Sequence, residues 1–134
     1  MALDGARAQR AASSDAGDAA CVLVVDDEAP IVDFLRALLE DEGFEVLRAY
    51  DGEQAWELAR RARPDLVISD VAMPRMSGVE LLRRLRRSGE LGQTPVILMS
   101  AVTRPKVDER AAFLAKPFDV DRMLGLVSAQ LVAN

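Results

Sequence analysis

The chain has 134 residues, enough for one domain with a single packed core and too few for two. Half of the residues are apolar and only 4% are aromatic, which predicts a core of Val, Leu, Ile and Ala. The net charge of −5 argues against a nucleic-acid-binding surface, and the absence of histidine excludes histidine-based catalysis. A single cysteine, Cys21, rules out an internal disulfide framework, and no apolar run reaches membrane-spanning length. A cytoplasmic protein without membrane contact is therefore expected.

The first predicted elements follow an alanine-rich segment. Residues 1–20 carry too little apolar surface to offset their ordering entropy, which predicts a disordered N-terminal tail, with the folded domain at residues 21–134. A buried strand at residues 22–25 leads into Asp26 and Asp27. Pro30 then begins a helix that ends at Gly43. Its predicted inward stripe comprises Ile31, Phe34, Leu35, Leu38 and Leu39.

The middle of the chain continues the alternation. Residues 44–49 alternate apolar and charged side chains, as in an edge strand, and a second helix begins after Asp51. The unbroken apolar run at residues 66–69 predicts a strand buried on both faces, and this strand ends at Asp70. A third helix follows Gly78; its arginines are interpreted as a solvated face rather than a phosphate-binding patch, namely Arg83, Arg84, Arg86 and Arg87.

The last elements bring further polar residues to strand ends. Residues 95–99 form a predicted strand that is followed by Ser100, residues 111–115 form a fifth strand before Lys116, and a final helix begins near Asp119. Alternating strands and helices predict a doubly wound parallel α/β sheet with helices on both faces. Right-handed crossovers place all carboxyl strand ends at one edge. The residues expected to converge there are Asp26, Asp27, Asp70, Ser100 and Lys116.

This set of side chains suits phosphoryl chemistry. Clustered carboxylates repel one another, and a divalent cation removes that conflict; oxygen ligands with open positions for water and phosphate are what Mg²⁺ prefers. Asp70 is then a candidate nucleophile towards a phosphoryl group. Lys116 can neutralise one phosphoryl oxygen, and the Ser100 hydroxyl can donate a hydrogen bond to another.

Four motifs in this order resemble the receiver domain of bacterial two-component response regulators. They are Val24-Val25-Asp26-Asp27-Glu28, Asp70-Val71-Ala72-Met73-Pro74 with Gly78, Ser100-Ala101, and Lys116-Pro117-Phe118. The resemblance covers residues 21–134. Within the family, the chain is most similar to single-domain receivers of the chemotaxis-regulator type. The resemblance implies a flavodoxin-like five-stranded sheet in the order 2-1-3-4-5.

The resemblance also implies roles for individual residues. Asp70 would be the phosphoacceptor, and Mg²⁺ would be held by Asp26, Asp27, Asp70 and the backbone carbonyl of Ala72. Lys116 and Ser100 would contact the phosphoryl group. Phe113 would occupy the aromatic switch position, acting with Ser100. The peptide bond before Pro117 is usually cis in this family.

The connection between the fourth and fifth strands departs from the family pattern. Only eleven residues, 101–111, make this crossover. This is no more than the minimum of about 10–12 residues that a βαβ connection needs for its helix and both of its loops. The helix expected in this crossover, the family's fourth, is therefore predicted to have one or two turns or to be absent. The usual output face would then be remodelled.

The leading interpretation is a stand-alone receiver that is not an enzyme, because no further domain follows the last predicted helix; a piece of a longer protein stays an alternative. A histidine kinase or phosphotransfer protein would donate the phosphoryl group, and an unidentified downstream protein, or a second copy in a homodimer, would receive the signal. Two functional alternatives stay open. One is a pseudo-receiver that docks partners without phosphorylation. The other is an Asp-nucleophile phosphohydrolase, which is disfavoured because Ala72 stands where such enzymes carry an acid.

Overall fold

Strands and helices alternate from residue 21 to residue 100 of this computed structural model, which describes residues 19–101 and 104–132. Residues 1–18 of the predicted tail lie outside these ranges. The nine elements, in chain order, are β1 (Cys21–Val25), α1 (Ala29–Asp41), β2 (Glu45–Ala49), α2 (Gly52–Ala62), β3 (Leu66–Asp70), α3 (Gly78–Arg87), β4 (Val96–Ser100), β5 (Ala112–Ala115) and α4 (Val120–Val132). None of the helices in the described ranges has the length and apolarity needed to cross a membrane.

The five strands form one parallel sheet in the order β2-β1-β3-β4-β5. The predicted doubly wound, flavodoxin-like order is confirmed. Every residue of β1, β3 and β4 is buried, because helices cover both faces of the sheet. Along β1, Leu23 and Val25 contribute to the core on one face, and Val22 and Val24 contribute to the core on the other.

The helices divide between these two cores. Residues of α2 and α3 pack on the first core, and residues of α1 and α4 pack on the second. In α1 the buried residues are Val32, Leu35 and Leu39. The prediction that Phe34 faces inward is wrong, since the residue is 49% exposed. It lies about 100° around the helix from Leu35, and its ring contacts Phe118 at a centroid distance of 6.4 Å.

The crossover from β4 to β5 has no helix between residues 104 and 111; Val102 and Thr103 lie outside the described residues. The prediction of a shortened or absent helix is confirmed. Val107 and Ala111 pack against the first core, so this non-helical segment contributes apolar side chains to the core on that face of the sheet.

Arg86 corrects the prediction that all four arginines of α3 form a solvated face. Its Nη1 donates to the carbonyl oxygens of Gly92 at 3.1 Å and Thr94 at 2.6 Å. Its Nη2 donates to the carbonyl oxygen of Arg110 at 2.7 Å. One guanidinium therefore joins the end of α3 to the start of β4 and to the end of the helix-free crossover.

Candidate functional site

The carboxylates of the candidate site lie at the carboxyl ends of two neighbouring strands. Asp26 directly follows β1, and Asp70 is the last residue of β3, which pairs with β1. Asp26 is fully buried and Asp70 is 7% exposed, whereas Asp27 is exposed. One carboxylate oxygen from each of the three residues lies within 4.8 Å of the others. The predicted convergence of these acids is thus present, in a cluster that is buried on one side and open at Asp27.

Lys116 places a positive charge inside this cluster. Its Nζ lies 2.9 Å from Oδ2 of Asp26 and 3.1 Å from Oδ1 of Asp70. The other oxygen of Asp26, Oδ1, accepts a hydrogen bond from the backbone N–H of Glu28 at 3.0 Å. Both oxygens of the buried Asp26 carboxylate therefore have donors, as a buried charge requires.

The loop that carries Lys116 is held in position by a hydrogen bond to the end of β4. The backbone N–H of Lys116 donates to the carbonyl oxygen of Ser100 at 2.8 Å, and the peptide bond between Lys116 and Pro117 is cis. Ser100 itself is buried at the end of β4. Its position at the same sheet edge as Asp70 follows from the parallel pairing of β3 and β4.

Phe113 lies within β5 and is partly buried. It lies before the carboxyl end of the strand, so its ring is set back from the sheet edge where the charged side chains meet. The guanidinium of Arg104, from the crossover, lies 5.7 Å from the centroid of its ring. This cation–π contact was not predicted, because nothing in the local sequence pairs residue 104 with residue 113.

The segment after β3 is held close to Asp70 by Gly78. A Cβ at position 78 would collide with the backbone carbonyl oxygen of Asp70 and would lie 3.1 Å from Cα of Val71. The N–H of Gly78 donates to the carbonyl oxygen of Val71 at 2.9 Å. Ala72, which lies between Asp70 and Gly78 in the chain, is exposed. Glycine is therefore required where α3 begins against the end of β3.

The same segment is tied to the start of α2 by an ion pair that the sequence did not reveal. Arg75 has a φ of 68°, in the left-handed region that favours glycine, and its Nη2 lies 2.9 Å from Oδ2 of Asp51. Asp51 also caps α2, since its Oδ1 accepts from the N–H of Gln54 at 2.8 Å. Met76 is buried against Gly52. These contacts stabilise a backbone turn next to the carboxylate cluster.

Burial and charge shift the proton affinities of the paired residues. Burial raises the pKa of Asp70, as do the charges of Asp26 and Asp27, while the hydrogen bond from Lys116 opposes the shift. Burial alone would lower the pKa of Lys116. Its hydrogen bonds to Asp26 and Asp70 outweigh burial, so the pKa of Lys116 is raised. Lys116 is consequently charged at neutral pH.

A divalent cation fits the donors of this site. The three carboxylates share one ammonium group, which pairs with Asp26 and Asp70, so the cluster has an excess of negative charge that a second cation would neutralise. Carboxylate oxygens with one open side match the preference of Mg²⁺, which keeps several coordination positions for water or phosphate. Asp26, Asp27 and Asp70 are therefore the candidate ligands.

Comparison with known proteins gives the family. Residues 22–128 match the family described as the response regulator receiver domain. The chain belongs to this family. This receiver domain is 36% identical over 119 residues to response regulator GtcR of Aneurinibacillus migulanus, in a match that covers 82% of the chain and 47% of GtcR. It thus spans about half the length of that relative.

A smaller relative and a solved structure agree with this assignment. The receiver domain is 33% identical over 116 residues to the polar-differentiation response regulator DivK of Brucella anthropi, covering 82% of the chain and 94% of DivK. The structure of chemotaxis response regulator CheY4 of Vibrio cholerae superimposes with a TM-score of 0.77 at 34% identity. That match covers 84% of this chain and 99% of CheY4.

Proposed function

We propose that this receiver domain accepts a phosphoryl group on Asp70 from a histidine kinase or a phosphotransfer protein. The observation that carries the proposal is the pairing of Asp70 with Lys116 beside Asp26 and Asp27. A carboxylate nucleophile, a fixed cation and two further acids are what a phosphoryl acceptor needs in one place.

The transfer forms one bond and breaks another. A carboxylate oxygen of Asp70 attacks the phosphorus atom of a donor phosphohistidine, forming a P–O bond. The P–N bond of the donor breaks, and its electron pair stays on the imidazole nitrogen, which then takes up a proton. Lys116, whose Nζ is 3.1 Å from Oδ1 of Asp70, can pair with an oxygen of the arriving phosphoryl group.

Mg²⁺ is the cofactor that we propose for this step. Asp26, Asp27 and Asp70, with the backbone carbonyl of Ala72, would hold it. When bound, the ion supplies positive charge that offsets the repulsion between the carboxylates and the phosphoryl oxygens. Asp26 has little freedom to move, because it is fully buried and both its oxygens accept hydrogen bonds.

Phosphorylation would be read through a change in protein binding. Ser100 lies at the same sheet edge as Asp70 and would contact the phosphoryl group; with Phe113 it would report phosphorylation to the surface. The crossover beside Phe113 has no helix at residues 104–111, so the downstream partner of the domain, a protein or a second copy of the chain, would meet a non-helical segment there. The expected site of action is the cytoplasm.

Acetyl phosphate tests this function without a cognate kinase. Incubation of the chain with acetyl phosphate and Mg²⁺ should add the mass of one phosphoryl group, as measured by intact mass spectrometry. The adduct should be absent in Asp70→Asn and present in Asp33→Asn, which removes an exposed acid from α1. No adduct on the folded wild-type chain would overturn the proposal in favour of a phosphorylation-independent docking module. Turnover of an aryl phosphate would instead support a phosphohydrolase.

A further inference from the structure

A salt bridge joins the two loops on either side of the end of β1. In the sheet, β1 lies between β2 and β3, and Asp26 and Asp27 of the candidate site follow β1. Asp51 follows β2, and Arg75 follows β3. The contact of 2.9 Å between Nη2 of Arg75 and Oδ2 of Asp51 therefore connects the segments that flank these two acids.

Arg75 adopts a backbone conformation that its residue type disfavours. Its φ is 68°, and across it the N–H of Met76 donates to the carbonyl oxygen of Pro74 at 2.8 Å. A hydrogen bond that spans one central residue with a positive φ belongs to the rare and strained form of the γ-turn. Glycine would adopt this turn without the steric cost of a Cβ. Strain of this kind persists only where surrounding contacts hold it, and it is concentrated at functional sites.

The segment after β3, residues 71–77, also carries the carbonyl of Ala72 that is proposed as a Mg²⁺ ligand. Within it, Met73 is partly buried against the first core, and Met76 is buried against Gly52. Apolar packing is not directional, so it holds the segment against the core without fixing the direction of its carbonyl groups. Ala72 itself is exposed. The direction of its carbonyl therefore depends on the polar contacts of the segment.

Polar contacts restrain this segment at its base and at its turn. At the base, the N–H of Gly78 donates to the carbonyl oxygen of Val71 at 2.9 Å. At the turn, the hydrogen bond from Arg75 to Asp51 is directional and ties the segment to the start of α2. Mg²⁺ demands near-ideal octahedral geometry, so a small rotation of one ligand weakens its binding.

We propose that Arg75 is a positioning residue for Mg²⁺, which holds the segment after β3 through Asp51 so that the carbonyl of Ala72 faces the cation. This inference rests on the Mg²⁺ site of the proposed function. The carboxylates supply the charge that attracts the ion, and the salt bridge supplies the orientation of one uncharged ligand. Such a role gives a reason for an arginine at a turn where glycine would relieve the strain.

The test compares Arg75→Gly with Arg63→Gly. Both arginines have a positive φ, 68° and 50°, and both form a salt bridge, Arg75 with Asp51 at 2.9 Å and Arg63 with Glu90 at 2.8 Å. Arg63 lies at the other end of α2 from Asp51. Each substitution therefore relieves the same kind of strain and removes one guanidinium and one salt bridge. Only Arg75→Gly alters the segment that carries Ala72.

Amide NMR titrations measure the affinity for Mg²⁺, and urea unfolding measures the stability of the Mg²⁺-free chains. The dissociation constant should rise about fivefold in Arg75→Gly, less than the roughly 10–100-fold that loss of a direct outer-shell partner costs. It should stay near the wild-type value in Arg63→Gly, and the two variants should have similar unfolding free energies. Removal of a positive charge would by itself strengthen the binding of a cation, so weaker binding by Arg75→Gly separates positioning from electrostatics.

Asp51→Asn removes the same salt bridge from its other side and keeps a capping oxygen for α2. It should weaken Mg²⁺ binding in the wild-type chain and have little further effect in the Arg75→Gly chain, because the contact is already lost. Full additivity of the two substitutions would overturn the inference, as would Mg²⁺ binding by Arg75→Gly that is as tight as in Arg63→Gly.

These outcomes are distinct from failure of the proposed function. If the wild-type chain binds Mg²⁺ and Arg75→Gly binds it equally well, only the role of Arg75 is overturned. If the wild-type chain shows no saturable response to Mg²⁺, the proposed Mg²⁺ site is overturned, and the role of Arg75 with it.

Discussion

Nζ of Lys116 lies 2.9 Å from Oδ2 of Asp26, a carboxylate with no solvent exposure. These residues are 90 positions apart in the chain, and their contact joins the end of β1 to the loop after β5. Breaking such a pair leaves a buried charge without a counterion. The contact therefore links the stability of the fold to the same charges that would bind Mg²⁺.

Lys116→Met should destabilise the Mg²⁺-free chain by about 3 kcal/mol, because the buried Asp26 carboxylate loses its ammonium partner. Urea unfolding measures this free energy. Lys106→Met, at an exposed lysine of the crossover, should change it by less than about 0.5 kcal/mol.

The origin of the Lys116→Met effect can be checked in two ways. Saturating Mg²⁺ should restore part of the lost stability, because the ion replaces the missing positive charge. A second substitution, Asp26→Asn, should make the Lys116→Met chain more stable by removing the orphaned charge. Equal losses in Lys116→Met and Lys106→Met would contradict the electrostatic explanation.

Asp27→Asn should weaken Mg²⁺ binding by about tenfold or more while changing the unfolding free energy by less than about 0.5 kcal/mol. Asp27 is exposed, so its carboxylate contributes charge to the cluster and little to packing. Amide NMR titration with Mg²⁺ measures the affinity. Asp33→Asn, at an exposed acid of α1, is the control and should bind Mg²⁺ as the wild type does. Unchanged affinity in Asp27→Asn would remove this residue from the proposed ligands.

Gly78→Ala should lower the unfolding free energy by about 2 kcal/mol, because the added Cβ collides with the carbonyl oxygen of Asp70. The shift of the backbone should also slow phosphorylation by acetyl phosphate. Gly125→Ala is the matched control: position 125 lies inside α4 with open space around it, and alanine favours helix by about 1 kcal/mol. If Gly78→Ala were as stable as Gly125→Ala, the close approach of α3 to β3 would be incorrect.

Asp51→Ala should cost about 1 kcal/mol at neutral pH, since it removes the cap of α2 and the partner of Arg75. The hydrogen bond from the N–H of Gln54 and, after it, the contact with Arg75 lower the pKa of Asp51 in the folded chain. A lowered folded-state pKa gives stability that is present above the unfolded value, about 3.9, and is lost as the pH falls through the folded value.

Urea unfolding between pH 7 and pH 3 should therefore show a wild-type advantage over Asp51→Ala that is constant above about pH 5 and shrinks below about pH 4. Asp51→Asn retains a capping oxygen without a charge, so it should lose less stability at pH 7. An advantage that grows on acidification would contradict the sign of the shift.

Much of this fold could be predicted because each local pattern agrees with the tertiary arrangement. The apolar runs of β1, β3 and β4 contain no polar alternation because both of their faces are buried, and the sequence displays this directly. The missing helix of the β4 to β5 crossover was equally predictable, since eleven residues leave little room for one. Parallel topology then brings Asp26, Asp27 and Asp70 together.

The contacts that could not be predicted join segments far apart in the chain. The run of arginines on α3 predicts a solvated face, because consecutive charges on a helix usually lie in solvent, yet Arg86 binds the carbonyl of Arg110 across the crossover. Helical spacing predicts that Phe34 belongs to the inward stripe of α1, but the orientation of α1 turns it towards Phe118. Phe34 differs from its prediction because an apolar stripe about 100° wide does not fix the orientation of a helix to within one residue.

The amino-acid sequence by itself determined the order of strands and helices, the strand ends that carry acids and a lysine, and the family. Hydrophobic periodicity and strand-end chemistry are local properties, so they can be read along the chain. Only the tertiary structure decided that Lys116 bridges Asp26 and Asp70, that Arg75 pairs with Asp51, and that Arg86 and Arg110 line one cavity. Side-chain pairings of this kind depend on distances between segments that no local pattern encodes.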